Sequence, residues 1–332
     1  MNIVKKSMID MSIIISTYNR SENIKQTISS ILNQKVNPLE IIIIDDSTNN
    51  LIKQYINKLK KKIENRNIIL KYFKKPLKDR GLTKSRNLGI KKSSGNILLF
   101  LDDDIILFPN YLEEIMHIYS QKENINGVQG IIINNTVSEN SNIIIQQIRK
   151  CFYLTHWQSQ SMKVLPSFEG TYPINIRGQI ETQWFTGCNQ SYKRKIFQNE
   201  IFDEKLIGYG YKEDLDFSYR ISKKFGNLII TSKAKLIHRG TFVKKEFTYN
   251  DILLETINSH YLFYKNIPKI RRNLIIFYWS IIGKIFLSSL SLISLNKTTI
   301  KRNFIKFINK LKSEYICFKR RKKLENGLLD YK

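Results

Sequence analysis

Short apolar runs alternate with amphipathic stretches along the first hundred residues of the chain. The apolar runs cover residues 12–17, 40–44, 68–73 and 97–101. Runs of this length between turn signals predict strands that are buried on both faces. Between them, apolar positions recur at helical spacing over residues 21–32, 51–63 and 81–95. This order predicts an α/β fold with a mostly parallel, doubly wound sheet flanked by helices.

The same alternation continues in the middle of the chain. A helix is predicted to follow Pro109, and further strands are predicted at residues 127–133 and 228–231. Residues 134–182, which include Trp157, show no clear periodicity. They are predicted to form an irregular insertion that covers a site, rather than a separate domain.

Two of the predicted strands end in acidic residues. One strand leads into Asp102–Asp104, and another leads into Asp45–Asp46. Parallel strands bring their carboxyl ends to one edge of a sheet, where ligands bind. Adjacent carboxylates repel one another, so a divalent cation that bridges to substrate phosphates would stabilise them. The alternative is a solvated acidic turn, which acids on two strands make less attractive.

A third acidic segment follows a glycine-rich turn. Gly208 and Gly210 precede Glu213 and Asp214, which begin a predicted helix. Acids in the first turn of a helix stabilise its dipole by about 0.3–1 kcal/mol each, so a purely structural role is an open alternative. His238 ends another predicted strand, where it is either a structural residue or a metal ligand.

The chain is strongly basic, with a formal net charge of +27 at pH 7. Such a charge attracts nucleic acid, anionic lipid or anionic substrates. No zinc-finger, basic-zipper or RNA-recognition pattern accompanies it, so no nucleic-acid partner is expected. The 3 cysteines are widely spaced. They predict neither a disulfide framework nor a zinc site, and they favour a reducing, cytoplasmic compartment.

Six motifs occur in order between residues 11 and 240. They are SIIISTYNR, IIIIDDS, GLTKSRNLG, FLDDD, FTGCN and GYKEDLDFSYR. Together they resemble the motifs of the family 2 glycosyltransferases, which have the GT-A fold. The resemblance implies a nucleotide-diphosphate sugar donor, usually linked to UDP, and inversion at the anomeric carbon. It also implies Mn²⁺ or Mg²⁺ as cofactor, a glycan or lipid-linked glycan as acceptor, and a role in cell-surface polysaccharide assembly.

The resemblance assigns donor-side roles to individual residues. The nucleotide sugar would contact Ser16, Thr17, Tyr18, Asp45, Asp46, Arg86, Asp102 and Asp103. The first three would line the nucleoside pocket, Asp46 would read the base, and Arg86 would lie near the nucleotide or its phosphates. Asp104 would be the direct metal ligand, joined by Asp102 and by His238.

The resemblance also assigns the catalytic and acceptor sides. Asp214 would take the proton from the attacking hydroxyl, with Glu213 as the alternative base. The acceptor side would include Trp184, Gly187 and Asn189. Processive members of the family carry a Gln/Arg-x-x-Arg-Trp motif after this helix, and residues 232–235 read Ser-Lys-Ala-Lys instead. Transfer of a single sugar is therefore predicted.

The composition changes towards the end of the chain. Residues 1–245 are predicted to be the catalytic domain, and residues 246–332 a helical, basic C-terminal region. Residues 274–295 are apolar over about the length that spans a bilayer, with a weakly polar face that includes Lys284. This stretch is predicted to lie on an anionic membrane surface. Packing on the protein or on a second protomer, or spanning the membrane, are the alternatives.

Two functions of different classes follow from the sequence. The first is a non-processive glycosyltransferase in the cytoplasm, peripheral on the inner face of the cell membrane. The second is a non-catalytic protein with a nucleotide-binding fold, which binds membrane or polyanions through its basic C-terminus. Stabilisation by UDP with Mn²⁺ favours the enzyme, whereas salt-sensitive stabilisation by polyanions alone favours the binding protein. No feature of the sequence predicts the oligomeric state.

Overall fold

The computed structural model of the chain describes residues 8–133, 143–155, 161–173, 175–240, 248–292 and 297–331. The chain divides into two compact units. The first, called the sheet unit, comprises Met1–Thr136 and Asn175–Thr241. The second, called the helical unit, comprises Val137–Ile174 and Phe242–Lys332. The predicted domain boundary at residue 245 and the side chain of Trp157 lie outside the described residues.

The described part of the sheet unit contains one mixed sheet. Its strands are β1 (Met8–Thr17), β2 (Asn37–Asp45), β3 (Ile69–Lys74), β4 (Ile97–Leu101), β5 (Ile105–Leu107), β6 (Gly127–Ile132), β7 (Gln179–Thr182), β8 (Asn189–Lys193) and β9 (Leu228–His238). Their order is β3-β2-β1-β4-β8-β6-β9-β5, with β7 paired to β9. The first four strands are parallel neighbours, whereas β8 runs antiparallel to β4 and β6. The α/β prediction is confirmed, and the antiparallel pairs are an addition to it.

Helices cover the apolar strands of this unit. They are α1 (Ser21–Leu32), α2 (Leu51–Glu64), α3 (Leu82–Lys92), α4 (Tyr111–Gln121) and α6 (Glu213–Phe225), while α5 (Ile143–Cys151) belongs to the helical unit. Ile13 and Ile15 of β1 are fully buried in the main apolar cluster. Ile14, on the other face, meets α3 at Gly89, where an added Cβ would lie 2.3 Å from the Ile14 side chain. Both faces of β1 are therefore buried, as its unbroken apolar run predicts.

Three short strands, β5, β7 and β8, have no counterpart in the prediction. The β8 sequence is Asn-Gln-Ser-Tyr-Lys, which lacks any apolar run. Its polar side chains are nevertheless buried, because they bond to distant strands. Ser191 Oγ, for example, donates to the Val128 carbonyl over 2.6 Å. Pairing of this kind depends on contacts far apart in sequence, so local pattern does not reveal it.

The helical unit contains five of the described helices. They are α5, α7 (Tyr249–Asn266), α8 (Arg271–Leu290), α9 (Lys297–Lys319) and α10 (Arg321–Glu325). The side chain of Thr248 and that of Asp251 form a capping box at the start of α7. The prediction of irregular chain over residues 134–182 is wrong for α5. There Ile144, Ile148 and Cys151 recur at helical spacing.

Helix α8 lies within the apolar stretch that the sequence singled out. Among the described helices it is the one long and apolar enough to cross a membrane, with a mean hydropathy of 1.5. Length and composition alone are weak evidence for a span, since core helices of soluble proteins share them. The environment of its side chains is therefore more informative.

Candidate active site

The acidic ends of β2 and β4 meet at one edge of the sheet. In the parallel pairing with β2, Thr17 of β1 lies opposite Asp45. In the pairing with β4, Ile15 lies opposite Leu101, the residue before Asp102. The two acidic segments therefore flank the end of β1, as the predicted strand order requires.

Asp102, Asp104 and His238 form a group of possible metal ligands. Strand β9 pairs with β5 and places His238 opposite Ile105. Its Nε2 atom lies 3.1 Å from Asp104 Oδ1 and 4.0 Å from Asp102 Oδ2. One ligand atom from each of the three residues lies within 4.8 Å of the others. Two carboxylates and an imidazole can hold a divalent cation such as Mn²⁺ or Mg²⁺.

Asp103 points away from this group. Its Oδ2 accepts a hydrogen bond from Thr17 Oγ1 over 2.7 Å, and its Oδ1 lies 3.1 Å from Arg20 Nη1. The same guanidinium lies 3.3 Å from Asp104 Oδ2. Arg20 was not singled out in the sequence, although it ends the SIIISTYNR motif. The Arg20 guanidinium therefore bridges the carboxylates of Asp103 and Asp104.

Burial makes ionisation costly for the acids at this edge. It raises the pKa of Asp103 to about 6, although the hydrogen bond from Thr17 works in the opposite direction. It also raises the pKa of Asp102, against the pull of Arg86. The hydrogen bond with Asp104 raises the pKa of His238. A divalent cation among these groups would favour the ionised carboxylates.

Asp45 and Asp46 serve different partners. Asp45 accepts hydrogen bonds from the Tyr72 hydroxyl over 2.6 Å and from the Ser47 backbone over 2.7 Å. Asp46 Oδ2 accepts from the Gly81 backbone and from Ser85, over 3.1 and 2.9 Å. Asp45 therefore fixes the strand end, while Asp46 faces the start of α3.

The remaining residues of the predicted nucleoside pocket lie at the end of β1. Tyr18 is 51% exposed, and the Arg80 guanidinium lies 5.3 Å from the centre of its ring. Thr17 is buried against Asp103. The Ser16 hydroxyl is buried and has no hydrogen-bond partner among the described residues. The Tyr18 ring is thus accessible to solvent, with the Arg80 guanidinium against it.

Arg86 is buried between the possible metal ligands, Asp102, Asp104 and His238, which we call the cation group, and the start of α6. One of its nitrogens contacts Glu213 Oε1, and the other donates to the Gly187 carbonyl over 2.9 Å. That second nitrogen lies 3.6 Å from Asp102 Oδ1. The guanidinium also lies 5.2 Å from the centre of the Phe202 ring. Arg86 therefore lies among Glu213, Gly187 and Asp102.

Asp214 and Glu213 begin α6 but occupy different environments. Asp214 is partly exposed, and its two oxygens accept from the Gly187 and Leu215 backbone N–H groups, each over 2.8 Å. Glu213 is buried against Arg86. Burial raises the pKa of both acids, that of Glu213 to about 8 despite the opposing charge of Arg86. Perturbed acids of this kind are frequent at functional sites.

The predicted acceptor-side residues separate into one site residue and two interior residues. A Cβ at Gly187 would lie 3.1 Å from Glu213 Oε1 and 3.3 Å from Arg86, so only glycine fits without displacement. Trp184 is buried. Asn189 is fully buried, and its Nδ2 donates to the Gly130 carbonyl over 2.9 Å. The acceptor roles of these three residues stay predictions.

The family model described as Glycosyl transferase family 2 matches residues 12–200 of the chain. The chain belongs to glycosyl transferase family 2. This confirms the family that the six motifs predicted, and it favours a glycosyltransferase over a non-catalytic binding protein.

Curated relatives and solved structures agree with the family. The chain is 25% identical over 198 residues to the GalNAc(5)-diNAcBac-PP-undecaprenol beta-1,3-glucosyltransferase of Campylobacter jejuni, covering 60% of this chain and 56% of the relative. The structure of S. aureus TarS residues 1–349 has a TM-score of 0.52 at 14% identity, covering 96% of this chain and 90% of TarS. GalNAc-T7, crystallised with UDP, GalNAc and Mn²⁺, has a TM-score of 0.51 at 14% identity, covering 82% and 54%.

These similarities support the fold more strongly than the reaction. The chain spans less than two thirds of the length of the first curated relatives that it matches. The likeness to TarS and GalNAc-T7, at 14% identity, shows a shared glycosyltransferase fold with a helical C-terminal region in this family member.

Proposed function

We propose that this family member is a metal-dependent, inverting glycosyltransferase that moves one sugar from a UDP-linked donor to an acceptor hydroxyl. The observation that carries the proposal is the cation group Asp102, Asp104 and His238, within 4.8 Å of one another. Arg86 joins this group to the acids at the start of α6. A cation site beside a carboxylate at a helix start provides both halves of a displacement reaction.

The donor set supports a divalent cation. Asp104 and Asp102 offer hard oxygen ligands, and His238 offers an imidazole nitrogen, as Mn²⁺ or Mg²⁺ would need. A cation held there would neutralise the charge that develops on the departing nucleoside diphosphate. The chain keeps Asp104 in place through His238 on one side and Arg20 on the other.

Asp214 is the proposed general base. Each of its oxygens accepts one backbone hydrogen bond and keeps a lone pair, so either can accept the proton of an attacking hydroxyl. Its partial exposure gives an acceptor access. Glu213 is buried against Arg86, which suits it to holding that arginine rather than to proton transfer.

Arg86 acts as a positioning residue. Its side chain donates to the Gly187 carbonyl, and the Gly187 N–H donates to Asp214. Asp102 lies at the other end of the same guanidinium, 3.6 Å away. The arginine therefore ties the orientation of the base to that of the cation group, a precision on which displacement reactions depend.

Asp46 suits a uracil base. Its Oδ1 is buried, lies 3.2 Å from Lys75 Nζ and accepts no hydrogen bond from the described residues. Uracil offers an N–H donor, and the Asp46 carboxylate is an acceptor for such a hydrogen bond. Tyr18 offers an exposed ring on which the base can stack.

The acceptor is proposed to be a glycan that is carried on a lipid. The name of the Campylobacter relative specifies an undecaprenol-linked glycan, and the C-terminal region of this chain is rich in basic residues. Such an acceptor places the enzyme in the cytoplasm, at the inner face of the membrane, in the assembly of cell-surface glycans. Gly187 would border the acceptor, with Trp184 and Asn189 supporting the wall behind it.

Hydrolysis of a panel of nucleotide sugars tests the proposal. The purified full chain is incubated with each donor and Mn²⁺ or EDTA, and the released nucleotide and the anomeric form of the sugar are measured. UDP-sugars are expected to turn over with inversion, and EDTA is expected to abolish turnover. Turnover that resists EDTA contradicts the cation, a preference for another nucleotide contradicts the role of Asp46, and retention contradicts direct displacement.

A further inference from the structure

Helix α8 exposes a line of large apolar side chains. Ile275, Trp279, Ile282 and Phe286 are 41% to 60% exposed. Their spacing of four, three and four residues puts them within about 60° of the helix circumference. We call these four residues the α8 stripe.

The buried side of α8 holds small and polar residues. Ser280 and Gly283 are buried, and a Cβ added at Gly283 would lie 2.3 Å from Phe152. Lys284 Nζ lies 2.6 Å from Glu169 Oε1. The weakly polar face that the sequence predicted is therefore turned inwards and used in packing, within the helical unit.

This arrangement differs from that of an ordinary surface helix. A surface helix turns its apolar stripe to the core and its polar residues to water. Helix α8 does bury Ile276, Phe277 and Ile281, yet it leaves a second apolar face outside. Contiguous exposed apolar side chains mark surfaces that another molecule covers.

Aromatic contacts extend the α8 stripe onto the end of α5. The ring of Phe152 lies 4.8 Å from that of Trp279 and 6.0 Å from that of Phe286, measured between centres. Trp279 Nε1 also donates to the Cys151 carbonyl over 2.9 Å. The apolar surface is thus held in shape by two segments of the helical unit.

Basic residues lie close in sequence to the residues of this apolar surface. Arg271 and Arg272 are exposed at the start of α8, and Arg149 and Lys150 are exposed at the end of α5. Helix α9 also exposes apolar side chains among its lysines, at residues 300, 304, 305, 311, 315 and 318. An apolar stripe with flanking cations is complementary to an anionic bilayer surface, where acyl chains lie beneath negative headgroups.

We propose that the α8 stripe inserts into the interfacial layer of an anionic membrane, with the nearby arginines and lysines against the headgroups. This inference rests on the proposed function in one respect, namely that the membrane surface concerned is the inner face. Donor hydrolysis in the absence of lipid reports on the active site alone, so failure of one proposal is distinguishable from failure of the other.

Flotation with lipid vesicles tests this proposal. The full chain is mixed with vesicles of phosphatidylcholine, with or without phosphatidylglycerol. The triple variant Ile275→Gln/Ile282→Gln/Phe286→Gln is expected to lose binding to anionic vesicles by at least about tenfold. Its matched control, Ile69→Gln/Leu77→Gln/Ile201→Gln, changes three exposed apolar residues of the sheet unit and is expected to bind as the unaltered chain does.

Two further measurements sharpen the result. Replacing Arg271 and Arg272 by glutamine is expected to weaken binding about fivefold per charge. Brominated acyl chains are expected to quench tryptophan fluorescence in the bound protein, and Trp279→Phe is expected to remove most of that quenching. Unchanged circular dichroism and unchanged donor hydrolysis without lipid show that the variants remain folded.

Three outcomes overturn the proposal. Equal binding of the triple variant and the unaltered chain shows that the α8 stripe is not the contact surface. Loss of a dimer in the triple variant, with vesicle binding intact, assigns the stripe to a second copy of the chain. Resistance of the bound protein to high salt and alkaline extraction indicates a membrane span instead.

Discussion

The two units of the chain differ in how fully the charges of their acidic side chains are compensated by cationic partners. In the helical unit the partly buried acids Glu169 and Glu314 have close cationic or imidazole partners. Lys284 pairs with Glu169, and Glu314 lies 2.7 Å from His260 Nε2 and 3.2 Å from Lys310 Nζ. At the edge of the sheet unit, acids crowd around Arg20 and Arg86. The first arrangement is balanced, and the second has an excess of negative charge.

The direction of the pKa shifts separates the two arrangements. Burial alone would raise the pKa of Glu314, but His260 and Lys310 outweigh it and lower that pKa to about 2. Burial dominates for Asp103 and Glu213, and raises their pKa values to about 6 and about 8. The acids of the helical unit are thus stabilised as anions by their neighbours, whereas the raised pKa values at the sheet edge mark an excess of negative charge that a bound cation would neutralise.

The largest effect that would test this contrast is on turnover. Asp214→Asn removes the proposed base while keeping the shape of the side chain, so kcat is expected to fall about 10³-fold or more. Affinity for UDP with Mn²⁺ should change little, because the base does not contact the nucleotide in the proposed arrangement. Asp10→Asn, at the opposite end of β1, is the matched control. Retained turnover in Asp214→Asn would remove the base assignment.

In the helical unit the equivalent change should affect stability instead. Lys284→Met removes the ammonium that lies 2.6 Å from Glu169 Oε1, which is expected to lower the free energy of unfolding by about 2 kcal/mol. Urea denaturation measures the loss, and donor hydrolysis per folded molecule should be unchanged. Lys312→Met, at an exposed position of α9, should change stability by less than about 0.5 kcal/mol. Recovery in the double variant Lys284→Met/Glu169→Gln would show that the negative charge of Glu169, no longer compensated by Lys284, causes the loss.

The sequence predicted the sheet edge better than its connections. Unbroken apolar runs predicted β1, β2 and β4, because burial on both faces leaves no room for polar residues. The acids after these strands were predicted to meet, since parallel strands share an edge. Strand β8 was missed because its buried polar side chains depend on partners in β6. Arg86 was predicted near the nucleotide or its phosphates, and only the fold reveals its contacts with Gly187 and Glu213.

In the C-terminal region, too, the sequence predicted a local pattern but not the contacts that bury it. The helical wheel of residues 274–295 separated a weakly polar face from an apolar one, which α8 reproduces as far as the described residues extend. The wheel could not tell which face would be buried, because this depends on Phe152 and Glu169, more than a hundred residues earlier in the chain.

Removing a ligand of the proposed cation should affect binding energy. UDP with Mn²⁺ at about a hundred times its Kd would stabilise the folded chain by about 2.7 kcal/mol. In Asp104→Ala this stabilisation is expected to be lost, whereas Glu22→Ala, an exposed acid of α1, should keep it. Thermal unfolding with and without both ligands measures the difference. An unchanged Mn²⁺ titration in Asp104→Ala would falsify the ligand assignment.

Arg86 tests whether the two ends of the site are coupled. Arg86→Lys keeps the charge but replaces the two nitrogens that reach Gly187 and Glu213 with a single ammonium, so kcat is expected to fall about 10- to 100-fold. Affinity for UDP should change less than about threefold. Arg220→Lys is the control, because Arg220 is paired with Asp216 and Glu200 away from Gly187. A larger loss in nucleotide affinity than in kcat would return Arg86 to a direct contact with the phosphates.

The smallest effect is the pH dependence, which allows the loss of activity and the loss of stability to be compared on one pH axis. Glu314 has a lowered pKa when folded, so its contribution to stability is full above about pH 4.3, the ordinary value for glutamate, and is lost as the pH falls towards about 2. Asp214 has a raised pKa and must be ionised to act as a base. As the pH is lowered, turnover should therefore begin to fall while the pH is still above 3.8, the ordinary pKa of aspartate. On acidification, activity should therefore disappear before the helical unit loses this stabilisation.

Glu314→Gln separates the two parts of that prediction. Its urea midpoint should depend less on pH below about pH 4.3 than that of the unaltered chain, because the titrating carboxylate is gone. Its activity profile should keep the same acidic limb, since Asp214 is unaltered. If activity and stability instead fall together over one pH range, then acid unfolding rather than protonation of the base limits turnover. In that case the acids of the sheet edge and those of the helical unit would no longer differ in the way their surroundings indicate.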